Sequence, residues 1–282
     1  MAKTQVTRLD YASGDNALPT FCADPAAQAK GTTDFVFDWR TPDQWGDVIP
    51  AAGAQQPVRP FANLALDKSS ALGRDLAVTV STEQGDTPEV SDGKGLTIRN
   101  GGNHLYPVRK SGVAVERVGD PRAEGWRDFY LGAWLRVRAM PADRFSTGLL
   151  GRGAFGAREY GFQVDTGAAT IFEGQTGRVV CPLAIGALVH VGLHLAFDTG
   201  ADTSRLRLFV DGAEVGGETA AAAPSAWPTT DGYLLIGGLA GYGFAPSTIA
   251  RVTRTFTRWP GQGALDPLTL HQAEEHWRAR LG

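Results

Sequence analysis

His190 and His194, set four residues apart in His190-Val191-Gly192-Leu193-His194, are the side chains whose types first suggest chemistry in this chain. On a helix that spacing would turn both imidazoles to one face, ready for zinc. The local pattern predicts a strand instead, because Val191, Leu193, Leu195 and Phe197 alternate with His190, Gly192, His194 and Ala196. Along a strand four residues span roughly 13 Å, too far for two ligands that must each lie about 2 Å from one ion. The pair is read as structural or solvent-facing histidines.

Other motifs weaken in the same way once their setting is considered. Gly151-x-Gly153-x-x-Gly156 spells a dinucleotide fingerprint, but that chemistry needs a helix N-terminus to receive the pyrophosphate, and a strand-like run at 160–164 follows. Retaining glycosidases hold two carboxylates about 5–5.5 Å apart. Glu83, Asp86 and Glu89 sit with Gly85 and Pro88 in a loop, and Glu214 and Glu218 follow a hairpin at an unsuitable spacing. No G-x-S-x-G elbow occurs, and neither Cys22 nor Cys181 has the local signature of an activated thiol. No catalytic residue is assigned, and the protein is read as a non-enzyme. Two loops could bind sugar by ring stacking and hydrogen bonding: 152–160, with Phe155, Arg158 and Glu159, and 238–244, with Tyr242. The same aromatics could instead seal one end of a fold or meet a neighbouring subunit.

The elements that must position these residues are short strands. Runs at 76–81, 96–99, 129–137, 148–152, 160–165, 170–173, 178–182, 190–197, 205–211, 233–236 and 248–256 recur between turn clusters, and no helices separate them. Asp211-Gly212 supplies the positive φ angles of a two-residue type I′ hairpin. The 36 glycines and 16 prolines suit such a chain. The expected fold is all-β, an antiparallel jelly-roll sandwich. One helix is expected at the C-terminus, over 267–281: Asp266 caps it, Pro267 takes its first position, Leu265 and Leu270 form a staple, and Leu270, Ala273, Trp277 and Leu281 make its apolar stripe. Residues 1–60 are proline-punctuated and irregular apart from a strand around 34–39 and a helical turn at 41–45, yet they carry Phe35, Phe37, Trp39 and Trp45. Those rings must be buried, against their own domain or a partner. The working division is an anchoring arm over 1–60, with these four as its docking residues, and a sandwich domain over 61–282.

A net charge of -3 with dispersed Lys and Arg gives no electrostatic case for nucleic acid. No window is apolar enough for a membrane span, and the N-terminus lacks the apolar core of a signal peptide, so a soluble protein made in a cytoplasm is expected. Two free thiols are expected there, although spacing alone does not decide whether Cys22 and Cys181 pair.

From about residue 95 onward the order of pieces is similar to the concanavalin A-like lectin/glucanase superfamily, most closely its laminin-G-like branch. The resemblance is carried by 129–137 with its Trp-x-Arg, by 149–153 followed by 160–164, by His190-Val191-Gly192-Leu193 through Leu208-Phe209-Val210-Asp211-Gly212, and by Ile249-Ala250-Arg251-Val252 with the terminal helix. It implies the same jelly roll and a carbohydrate-binding role. Calcium, common in the family, is left unsupported, since Val189 and Ala250 replace a usual Trp and a usual acidic residue; no cofactor or metal is assigned. An aromatic, irregular N-terminal region before such a domain also resembles bacteriophage virion proteins. This implies a virion location, other virion proteins and copies of itself as partners, and host-surface polysaccharide as ligand. A free-standing bacterial lectin-like module and a polysaccharide-active enzyme of the same fold are the alternatives.

Overall fold

The structure, a computed structural model, describes residues 31–45, 49–53, 60–65, 75–80, 89–90, 95–98, 105–111, 113, 125–139, 147–154, 157–165, 168–173, 176–198, 202–221, 233–237, 243–244, 247–258 and 260–275. Strands are numbered β1 to β17 along the chain. One sheet runs β14 (Ala213–Ala221), β13 (Thr203–Val210), β12 (Val189–Asp198), β7 (Trp126–Val137), β17 (Ser247–Arg258), β5 (Leu96–Ile98) and β4 (Glu89–Val90), with β1 (Thr32–Asp38) beside β5 on β17. The second runs β11 (Thr176–Pro182), β10 (Ala168–Glu173), β9 (Ala157–Asp165), β8 (Thr147–Ala154), β15 (Tyr233–Ile236), β6 (Leu105–Arg109), β3 (Leu76–Val80) and β2 (Phe61–Ala62). Among the described residues every pairing is antiparallel except that of β16 (Gly243–Phe244), which runs parallel to β8. Two short helices complete the described residues, α1 (Pro42–Trp45) and α2 (Pro267–Glu275). The chain is an all-β sandwich with a short C-terminal helix.

Period-two alternation builds the core. Phe129, Leu131, Ala133, Leu135 and Val137 of β7 join Val191, Leu193 and Leu195 of β12, Leu206 and Leu208 of β13, and Tyr160 and Phe162 of β9 in one buried cluster. Asp211 and Gly212 adopt φ of 49° and 85°, the left-handed pair that a tight hairpin between β13 and β14 requires. β6 is absent from the strands expected on sequence because Pro107 interrupts its alternation. It pairs along its length with β3, while Leu105 is its partner position for β15, so the proline's missing N–H is tolerated there.

The expected docking residues belong to the core. Phe35, Phe37 and Trp39 are 0 % exposed and Trp45 is 2 % exposed, packed with Phe61 of β2 at centroid distances of 5.3–6.0 Å along the chain of rings. β1 is a strand of the first sheet, in register with β17 from Thr32↔Phe256 to Asp38↔Arg251. Of the two destinations open to these rings, their own domain is the one they take, and the boundary at residue 60 cuts through the sandwich. The other edge of β1 is closed by side chains. The Val36 N–H donates to Asn63 Oδ1 at 3.0 Å, the Asn63 amide donates to the Asp34 carbonyl, and the Asp38 N–H donates to Gln44 Oε1. These contacts take up backbone groups that would otherwise template another chain.

Candidate functional site: the polar layer beneath the C-terminal helix

The row of β12 expected to face solvent is covered. His190 and His194 are both buried, because the segment from Leu265 through α2 lies across the outer face of the first sheet, where Tyr130 and Phe209 pack with Leu265 and Leu270. α2 starts as its sequence dictates: Asp266 Oδ1 accepts the Thr269 N–H at 3.1 Å, and Leu265 and Leu270 share that cluster. The described helix ends at Glu275, so Trp277 and Leu281 lie outside the described residues. Its buried face is Pro267, Leu270, His271 and Glu274, which places two ionisable residues against the sheet where an apolar stripe is expected from the sequence.

Room for this layer comes from two glycines. Gly132 of β7 and Gly192 of β12 are register partners, and the Tyr130 ring lies over both. A Cβ on Gly132 would stand 2.7 Å from the ring and 3.0 Å from the hydroxyl; one on Gly192 would press on the same ring more closely still. The hydroxyl held there is 2.6 Å from His271 Nδ1 and 3.4 Å from His190 Nε2. His190 is stacked between Trp134, at 4.5 Å, and His271, at 4.0 Å, with interplanar angles of 3° and 7°. Its Nδ1 is 2.9 Å from Glu275 Oε1, and the Gly212 N–H donates to His271 Nε2 at 3.0 Å. Burial first, then the Glu274 and Glu275 charges, push the Tyr130 phenol well above its ordinary range, so it stays protonated.

Ion pairs flank this cluster. Arg251 bridges Glu274 of α2, at 2.9 Å, and Asp38 of β1, at 3.2 Å, and Asp38 also takes Arg40 at 2.8 Å. Burial opposes the Arg251 charge, but Glu274 and Asp38 together outweigh it and raise its pKa. Burial dominates at Arg40 and lowers its pKa despite Asp38. On the other side Asp128 accepts the Leu265 N–H at 2.8 Å and the Thr257 hydroxyl, with His194 Nε2 at 3.5 Å. The two histidines thus serve separate networks, as the strand spacing required.

Among the described residues, His190, His271 and Glu275 bring one possible metal-ligand atom each within 4.8 Å. The geometry is unsuited to an ion. Imidazole lone pairs lie in the ring plane, and these rings are parallel and stacked, so their lone pairs do not converge on a point about 2 Å from both. His271 Nε2 already accepts a backbone N–H. The arrangement is a hydrogen-bonded relay, not a metal centre. Ala250, the position of the family's acidic residue, is buried against Trp134 and offers no ligand.

The expected sugar loops fall elsewhere. Ala154 pairs with Ala157 at one end of β8, and Gly243 pairs with Thr147 at the other. Seven residues of strand separate these two flanking points by on the order of 23 Å. Phe155 and Tyr242 lie outside the described residues; Arg158 is placed in β9, opposite Gly153, by its backbone. Glu159 is buried and ion-paired with Arg152, so its carboxylate is turned inward instead of presented to a ligand. A bulge between Arg152↔Tyr160 and Gly153↔Arg158 makes that inward turn. A second buried pair, Asp34 with Arg254, packs on the Phe35 and Trp126 rings. Cys22 lies outside the described residues, and Cys181 is placed in β11.

No protein-family model matches the sequence, and no curated protein does either. Among solved structures the chain is similar to the sialidase of Trypanosoma rangeli solved with a difluorinated nononic acid, at 16 % identity and a TM-score of 0.52, over 82 % of this chain and 32 % of the sialidase chain. The chain therefore spans about a third of that sialidase. Domain 4 of the extracellular GH43 arabinanase of Geobacillus stearothermophilus, solved with arabinotriose, is similar at 11 % identity and a TM-score of 0.43, over 86 % of this chain and 97 % of that one. A botulinum neurotoxin type C structure, described as dependent for cell entry on two ganglioside molecules, gives 7 % identity and 0.48 over 91 % and 53 %. At these identities the likeness to the sialidase is one of fold, the β-sandwich already described.

Proposed function

We propose that this protein is a non-catalytic, glycan-binding β-sandwich carried on a bacteriophage particle. The observation that carries the glycan reading is the fold likeness over four-fifths of the chain to a sialidase solved with a sugar acid, joined to the lectin-like residue order of β7, β12, β13 and β17. The non-catalytic part is supported by how six of the described carboxylates are used. Asp34 pairs with Arg254, Asp38 with Arg40 and Arg251, Glu159 with Arg152, Glu214 with Arg207, Glu274 with Arg251, and Glu275 with His190. Each is committed to holding the fold together. The ligand-facing candidates are Phe155 and Arg158 of the first loop and Tyr242 of the second, loops whose described flanks Ala154 and Gly243 lie toward opposite ends of β8. The virion location rests on the sequence resemblance alone, and with β1 and β2 built into the sheets its anchoring function passes to residues 1–30.

A glycan array probed with the full chain, including sialylated and arabinan-derived sugars and bacterial surface polysaccharides, tests the binding reading. Retention on at least one class, reduced roughly tenfold by Phe155→Ala or by Tyr242→Ala, is expected for a single aromatic stacking contact. Release of free sugar from any of these glycans would favour the enzyme reading.

A further inference from the structure

The hydrogen bonds that seat α2 admit one arrangement of protons. Because the Gly212 N–H donates to His271 Nε2, that nitrogen carries a lone pair, and in a neutral ring the proton sits on Nδ1. That proton is donated to the Tyr130 oxygen, 2.6 Å away. The phenolic hydrogen is then left to point at His190 Nε2, which fixes the His190 proton on Nδ1, facing the Glu275 carboxylate at 2.9 Å. With both imidazoles neutral, each donor fixes the next. A further proton on His271 has only Nε2 to occupy, where it would oppose the Gly212 N–H. It would also set a cation 4.0 Å above a second imidazole in a water-poor layer.

The charged groups around His271 determine where an added positive charge finds a partner. Tyr130 faces it from β7 and His190 from β12. The turn after β13 carries Asp211, whose carboxylate accepts the backbone N–H of His190 at 2.9 Å. On β17, Arg251 is committed to Glu274 and Asp38. From α2 itself, Glu275 lies 3.9 Å from His271 Nε2, four residues on along the same helix. An imidazolium at 271 therefore has a natural partner within its own helix, and taking it removes the carboxylate from His190 on the sheet.

We propose that α2 is a pH-released latch, in which protonation of His271 expels it from the Gly212 turn, transfers Glu275 from His190 to His271, and lifts the helix off Tyr130 and His190. The docked state binds fewer protons than the released one, so docking strengthens as pH rises and is lost as pH falls through the imidazole range, about 6.5 for an ordinary histidine.

Hydrogen exchange on the full chain at about pH 8 and about pH 5, with rates corrected for intrinsic exchange chemistry, tests this across the imidazole range. Amides of 266–275 are expected to lose roughly tenfold in protection at the lower pH while those of β12 keep theirs. His271→Gln retains an acceptor for Gly212 and a donor for Tyr130 but does not titrate, and it should hold the helix equally at both. Equal protection of the wild-type helix at both pH values, or an undiminished loss in His271→Gln, overturns the proposal. Should that variant not fold, 15N spectra of wild-type His271 carry the same test. An Nδ1–H tautomer at high pH, protonating as the helix amides open, is expected; an Nε2–H tautomer, or protonation with the helix still protected, overturns it.

Discussion

At the residue scale, the buried polar groups take their roles from distant partners. His190 stands out in the sequence as a chemical residue, but its partners lie 60 residues before it, at Tyr130, and 85 after it, at Glu275. Strand spacing could remove His194 from its side; nothing local could supply His271. A signal does exist in the glycines at 132 and 192, which mark a slot for a ring once the two strands are paired in register. Gly192→Ala is expected to drive Tyr130 out of that slot and to destabilise by about 1–3 kcal/mol, as overpacking does, measured as a lower urea midpoint. The buried pair of Arg254 and Asp34 gives a sharper test. Arg254→Met strands the Asp34 carboxylate among Phe35 and Trp126 and should cost about 3–5 kcal/mol, whereas the double variant with Asp34→Val should recover most of it. If the double variant is no more stable than the single one, the carboxylate is not the source of the loss.

At the element scale the strands are legible wherever alternation is uninterrupted. β7, β12, β13 and β17 follow from period two, and the β13–β14 hairpin follows from Asp211-Gly212. β6 is hidden by Pro107. The inward face of α2 differs from its expected stripe because burial there is decided by ion pairs and hydrogen bonds, which hydrophobic periodicity does not register. Asp266→Ala removes the cap of α2 and is expected to cost about 1 kcal/mol, read as faster exchange confined to 267–275. Asn63→Leu would leave the Val36 N–H and the Asp34 carbonyl of the β1 edge unpaired, at about 1–3 kcal/mol. Light scattering should also show greater self-association, since an uncovered strand edge recruits others. A monodisperse Asn63→Leu at wild-type stability would contradict that role.

At the scale of the whole molecule, residues 32–45 are part of the sandwich and not of a separable arm. Since β1 is in register with β17 and its rings fill the core, deleting 1–65 should abolish folding, seen as loss of cooperative unfolding, whereas deleting 1–30 should leave the sandwich intact. Purified particles carrying the second deletion would lose the protein if residues 1–30 anchor it. The lectin-like resemblance foretold the sandwich and the fold comparison bears that out, but neither identifies a ligand. The sequence could not reveal that Ala154, before one candidate loop, and Gly243, within the other, lie toward opposite ends of β8, because that separation arises from strand pairing. The most direct measurement is therefore of binding and turnover together: the full chain incubated with immobilised glycans, with retained protein and released sugar quantified in the same wells. Retention that Phe155→Ala or Tyr242→Ala weakens, with no sugar released, is the predicted result; no retention on any glycan, or release of free sugar, would contradict a non-catalytic glycan-binding sandwich.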